Sequence, residues 1–307
     1  MSPTNTLLSL FCCLSIHAMI SQETEDLFSE LDQMTTQESN EVIATFKSTR
    51  LIIGQSTERV RNEQLHLRIS HVFGEIKGID NFFGLDNLNN MHISLEYGLT
   101  DNIQLGIMRS NKPDKTYSST IKWSALRQKT GKHPFPFSLS YYGNIDVKTR
   151  TYTPEARDKN FTGRIDYINQ LLIARKISQQ VSLQIAPTWV HRNLTNANDE
   201  PNNVYSIGIG GRYLFSRSTS VNLEYYYALP TFESNTLNQN TLTLGFDIET
   251  GGHVFQLYFT NAIALHPGKF AINQSNNFFD REINFGFSIL RAFNVGKKDR
   301  SKRSLHK

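Results

Sequence analysis

The chain has 307 residues, 38% of them hydrophobic, and a mean hydropathy of −0.40. Beyond the N-terminus no apolar run reaches the ~20 residues that a spanning helix needs, which excludes a helical membrane protein. A β-barrel stays open as a class, because its apolar half is hidden in every second residue. The net charge of +4 is unevenly placed: seven acids and no Lys or Arg lie between Glu23 and Glu41, and six bases from Lys297 onward. A solvated tail is the plainer reading of those bases, and no nucleic-acid partner is expected.

In chain order, Leu7–Ile20 is an apolar stretch with the length of a signal-peptide core. A cut after Ser21 makes residues 1–21 a signal peptide, although its first six residues lack the usual basic charge. Both cysteines, Cys12 and Cys13, leave with it, so no disulfide or thiolate metal site is expected. Residues 22–60 are then an acidic periplasmic segment. Leu27, Phe28, Leu31 and Met34 stand at helical spacing and predict a short amphipathic helix over 22–36.

From residue 64 the period becomes two. Met91, Ile93, Leu95, Tyr97 and Leu99 share one face, opposite His92, Ser94 and Glu96. After Thr100-Asp101 a second alternating run begins at Ile103, the mark of a hairpin. The same alternation marks runs starting at Leu65, Val181, Val221, Leu242, Phe255 and Ile283. Less regular strands are expected near 115–127, 135–145, 163–176 and 203–215. In the third, Asn169 interrupts the apolar face, and a helix also fits.

The reading is all-β: an antiparallel up-and-down transmembrane β-barrel of about twelve strands over residues 61–293, with a short N-terminal helical segment and a basic tail over 294–307. Connections alternate between short and long, as in outer-membrane barrels with short periplasmic turns and long outer loops. An even strand count puts both termini on the short-turn side, where a secreted N-terminus begins. The expected location is the outer membrane of a Gram-negative bacterium. The last strand places Phe285, Phe287, Ile289 and Phe293 on one face and looks like the signal read by barrel-assembly machinery, although a tail follows it.

Four segments, Phe46–Ser56, Ile69–Gly74, Phe82–Asp86 and Tyr97–Asp101, together resemble an uncharacterised domain-of-unknown-function family of bacterial outer-membrane-type β-barrel proteins. The likeness runs from about residue 42 to Phe293. It implies a barrel and brings no activity or catalytic residue with it.

The inward face is expected to hold His66, Arg68, His92, Glu96, Gln104, Lys122, Asp166, Gln170, Gln184, Glu224, Asp247 and Asn284. These side chains fit a polar pore lining, or equally a mixed-charge network that plugs the lumen. The loop Phe73–Asp86 offers Asp80, Phe82, Phe83 and Asp86, either as a constriction at the mouth or as aromatics packed on the rim. His92-x-Ser94 resembles an arrangement in outer-membrane phospholipase barrels. There the pair must face lipid, whereas Ile93 and Leu95 turn it inward here, and no third group orients the His. No enzyme, cofactor or metal site is therefore expected; His191, His253 and His266 are scattered without metal spacing. The expected function is a passive channel or transport barrel for small solutes. The alternative is a closed structural or binding barrel acting through its outer loops or periplasmic termini. Expected partners are outer-membrane lipids, the assembly machinery and a periplasmic or envelope protein.

Overall fold

The computed structural model describes residues 41–131, 134–150, 160–195, 201–230, 239–272 and 276–296. The expected signal peptide, the helix over 22–36 and the tail from Lys297 onward lie outside them. The strands are β1 (Gln64–Glu75), β2 (Leu88–Gly98), β3 (Ile103–Ser110), β4 (Thr116–Leu126), β5 (Ser138–Lys148), β6 (Ile165–Lys176), β7 (Val181–Arg192), β8 (Asn203–Leu214), β9 (Thr219–Ala228), β10 (Thr241–Thr250), β11 (His253–Thr260) and β12 (Asn284–Asn294). Each pairs antiparallel with its sequence neighbours, and β12 returns to β1 in register Ile69↔Ile289. Closure removes the edge strands that an open sheet of this size would expose.

Alternation builds the wall. On β2, Asn90, His92, Ser94 and Glu96 are buried inside, while Met91 and Leu95 are exposed outside. On β9, Ser220, Asn222, Glu224 and Tyr226 point in, and Leu223 and Tyr227 point out. The apolar rows therefore face outward, as a hydrocarbon surround requires. The stretch around Asn169 is strand, paired on both sides. The outward Asn169 amide accepts the Tyr141 hydroxyl, so alternation survives its polar side chain. The tightest turn, Gly251-Gly252, has φ of 51° and 89°. Two left-handed residues match the twist of the strands they join.

A barrel of about eight strands is just filled by its own side chains, so twelve strands leave room inside. Among the described residues, two insertions occupy it. Residues 41–60 enter from the short-turn end and double back. The bridge Arg50↔Gln55 and the bonds Leu51 N–H to Gly54 O (2.9 Å) and Ser56 N–H to Thr49 O (3.0 Å) form this hairpin. From the opposite end the β11–β12 connection descends, carrying a one-turn helix, Pro267–Phe270, begun by a proline whose φ is already helical. Ile52 and Ile53 at the hairpin tip join Leu265, Phe270 and Ile272 of the loop in one apolar cluster, walled by Val190, Tyr226 and Tyr258. The placement differs from the expected periplasmic segment 22–60: its described part, 41–60, lies in the lumen. Phe46, Leu51, Ile52 and Ile53 are buried there, and a solvated segment would leave them in water.

One connection at the short-turn end is long, residues 127–137. It holds the start of the inserted segment: Val42 N–H donates to Gln128 O at 2.8 Å, and Glu41 pairs with Arg127 at 3.0 Å.

Candidate functional site

The hairpin has almost no ladder of its own, so its buried backbone groups need partners. Inward side chains of the wall supply them. Glu224 on β9 accepts the N–H groups of Ile53 at 2.9 Å and Gly54 at 3.2 Å. Gln184 on β7 accepts from Thr57 N–H at 3.0 Å and donates to Gln55 O at 2.7 Å. Gln104 on β3 accepts from Val60 N–H at 2.9 Å. Lys122 on β4 donates to the carbonyls of Thr49 (2.9 Å) and Glu58 (3.0 Å). The Thr49 hydroxyl donates to Glu96 on β2 at 2.6 Å. Arg68 on β1 donates to Ser48 Oγ at 2.8 Å and to Gln256 at 2.6 Å, and Gln256 donates to Leu51 O at 2.8 Å. Arg50, in the hairpin, lies 3.2 Å from His92 Nε2.

Shape matches as closely as polarity. A Cβ on inward Gly210 would lie 2.3 Å from Leu51 Cδ2, and one on Gly245 would lie 3.1 Å from Ile52 Cδ1. The wall has no side chain where the hairpin is bulky.

The descending loop is anchored at fewer polar points. His266 Nδ1 lies 3.0 Å from Asp146 Oδ2, both buried, and Asp146 also accepts from Ser118 and Asn144. Thr241 donates to Phe270 O at 2.6 Å. Lys269 pairs with Asp114, in the β3–β4 turn, at 3.2 Å. Burial pushes the Asp114 carboxyl up, but the charge and hydrogen bond of Lys269, with Lys148 and His266 adding to them, together hold it below its usual range.

All ten residues singled out as lumen-lining face inward, and seven of them (Arg68, His92, Glu96, Gln104, Lys122, Gln184 and Glu224) contact the hairpin. Asp166 pairs with Lys148 at 2.7 Å and Asp247 accepts from Gln256 at 2.8 Å. His66 is half-buried, two residues nearer the short-turn end of β1 than Arg68. Gln170 and Asn284 are buried inside as well. The mouth candidates Asp80, Phe82, Phe83 and Asp86 are exposed on the outer rim, and the insertion that does fill the lumen from that end is the β11–β12 loop. Sequence reasoning missed Arg50, Asp146 and His266. The signal for the hairpin was Leu51-Ile52-Ile53, an apolar run with no place in a solvated segment. Among the described residues, no cluster of His, Cys, Asp or Glu has the arrangement of a metal site.

A closed barrel with an apolar outer belt and a polar interior defines a membrane β-barrel. The chain belongs to the DUF5777 family, the membrane bound beta barrel domain, which matches residues 46–293. Its strand arrangement is similar to that of the KdgM porin (8% identity, TM-score 0.45, covering 75% of this chain and 99% of that one). It is also similar to the NanC porin (6%, 0.46, 74% and 98%) and to the COG4313 outer membrane channel from Pseudomonas putida F1 (10%, 0.47, 77% and 97%). Comparison with curated proteins gives no match.

Proposed function

We propose that the protein works in the outer membrane as a transport barrel for small solutes that rests closed, with the hairpin of residues 41–60 as its plug. The short turns face the periplasm and the long loops face outward. The observation that carries this reading is the set of wall side chains bonded to the hairpin, Gln256 and seven of the expected lumen-lining residues among them. Such a plug is firmly seated yet removable. Its polar anchors can be taken over by water, so each costs only about 0.5–1.5 kcal/mol to exchange. The wall beneath it is polar and of mixed sign, which suits hydrophilic or amphipathic solutes without strong charge selection. No enzymatic step belongs to this reading: His92 and Ser94 face the lumen, with the Arg50 guanidinium against the His92 ring.

A second reading, a permanently closed structural or binding barrel, is favoured by the filling of the lumen from both ends. Planar-bilayer recording separates the two. The full chain is expected to be silent or to open rarely, and a variant lacking residues 46–57 to show steady discrete steps. A deletion variant that still migrates as a heat-modifiable folded barrel but never conducts would favour the closed barrel.

A further inference from the structure

The outer surface holds a cleft of about 400 Å³ across strands β5 to β8. That is within the size of small-molecule sites, about 300–1,000 Å³. Its lining is mostly apolar, with Tyr141, Leu171, Pro187, Trp189, Tyr205 and Ile207 as the main contributors. The cause is local. Pro187 stands in the middle of β7, where proline has no N–H to give a ladder. Between Gln170↔Thr188 and Ile173↔Ile185 the β6–β7 pairing is interrupted, so Leu171 and Leu172 have no ladder partners in Pro187 and Ala186. The inward residues Thr188 and Ser206 also line the cleft, so it cuts into the thickness of the wall.

The upper edge of the cleft, toward the long loops, is polar. The Trp189 indole donates to Asn203 Oδ1 at 3.1 Å, and His191 lies 2.8 Å from the same oxygen and 3.1 Å from Asn193. Trp189 and His191 have ring centroids 6.3 Å apart, so the polar edge continues directly from the apolar lining. Outer-membrane barrels carry aromatic side chains with polar edges where hydrocarbon gives way to headgroups, the chemistry that Trp189 and His191 combine here.

We propose that the cleft is a binding site for one acyl chain of a membrane amphiphile, with the headgroup at His191 and Asn203 and the chain lying over Pro187 between β6 and β8. The occupant comes from the bilayer because the cleft opens on the outward, apolar side of a membrane-bound barrel. The lining selects a chain because its one outward amide, Asn169, is already bonded to Tyr141. The site is independent of the plug, and its success or failure leaves the transport reading untouched.

The chain has two tryptophans, and Trp123 on β4 pairs across strands with Tyr141 of the lining, too close to the cleft to report bulk lipid. The Trp123→Phe variant therefore makes Trp189 the sole reporter, and Trp123→Phe/Trp189→Phe/Leu257→Trp moves the reporter to the outward face of β11, remote from the cleft, to report bulk lipid. Each full-length variant is reconstituted in dioleoylphosphatidylcholine vesicles and titrated with a fatty acid brominated on its chain. Trp189 is expected to be quenched saturably, at about a tenfold lower mole fraction than the β11 reporter, a preference of about 1.4 kcal/mol. Unbrominated fatty acid should relieve that quenching, and adding Ile207→Phe, which fills the cleft, should return Trp189 to the bulk curve. Quenching of Trp189 that climbs linearly alongside the β11 reporter, or that the unbrominated acid fails to relieve, overturns the site. If Ile207→Phe does not fold, judged by heat-modifiable migration, the competition arm decides alone.

Discussion

The hairpin rising from the short-turn end and the loop descending from the opposite end meet in one apolar cluster, yet their anchoring differs. The hairpin is irregular backbone, and wall side chains from β1, β2, β3, β4, β7, β9 and β11 satisfy its N–H and C=O groups or its short polar side chains. The loop bonds its own carbonyls through a helical turn and touches the wall mainly through Leu265, Phe270 and Ile272. Both insertions bury apolar side chains, but polar bonds that water can replace make up a larger share of the hairpin's anchoring than of the loop's. That difference makes the hairpin the easier of the two to displace without loss of the fold.

The largest expected effect falls on the loop. Phe270 is 1% exposed and lies edge-on to Tyr226, with ring centroids 5.0 Å apart. Phe270→Ala should lower unfolding stability in detergent by about 3–5 kcal/mol, through lost burial and the cavity left behind. It should also expose residues 261–272 to limited proteolysis. A loss under about 1 kcal/mol would show that the loop is not held by its apolar side chains, and the contrast would fall.

Next comes the hairpin's main acceptor. Glu224→Leu strands the buried N–H groups of Ile53 and Gly54, at about 1–3 kcal/mol each if they stay buried. The hairpin can avoid that cost by moving into water, so conductance steps should become more frequent while the barrel keeps its folded gel migration. Lost stability with no change in conductance would mean that the hairpin cannot leave.

Packing between hairpin and wall sharpens the comparison further. Gly210→Ala forces its Cβ against Leu51, a strain of about 1–3 kcal/mol. Leu51→Ala removes the atoms it would strike. The double variant should therefore be more stable than the sum of the two losses by about 1 kcal/mol. Strict additivity in urea unfolding would mean that Leu51 does not sit against Gly210.

The wall was legible in the sequence because each strand carries its own signal. Ile93 and Leu95 alone are enough to turn His92, Ser94 and Glu96 inward, and the structure has them there. The hairpin was not, because its partners are remote: the bond that fixes the Leu51 carbonyl comes from Gln256, 205 residues away. Period two says that Glu224 points inward. It does not say whether a carboxylate there meets water, a cation or another segment's N–H groups. His266 and Asp146 were hidden for the same reason, since 120 residues separate a loop histidine from the strand residue it meets.

The smallest effect tests whether a third insertion takes part. Phe82 and Phe83 lie in the short 3-10 turn of the β1–β2 loop, exposed by 59% and 49%, with φ of 47° and 55°. Left-handed backbone is unfavourable for a large side chain, while asparagine tolerates it. Phe82→Asn should therefore leave stability within about 0.5 kcal/mol of the parent, as for other exposed sites, with any change on the stabilising side. Conductance of the deletion variant lacking residues 46–57 should be the same with and without it. A loss above about 1 kcal/mol, or a wider pore when Phe82 is replaced, would bring this loop into the mouth. The lumen would then be closed by three elements, and displacing the hairpin alone could not open it.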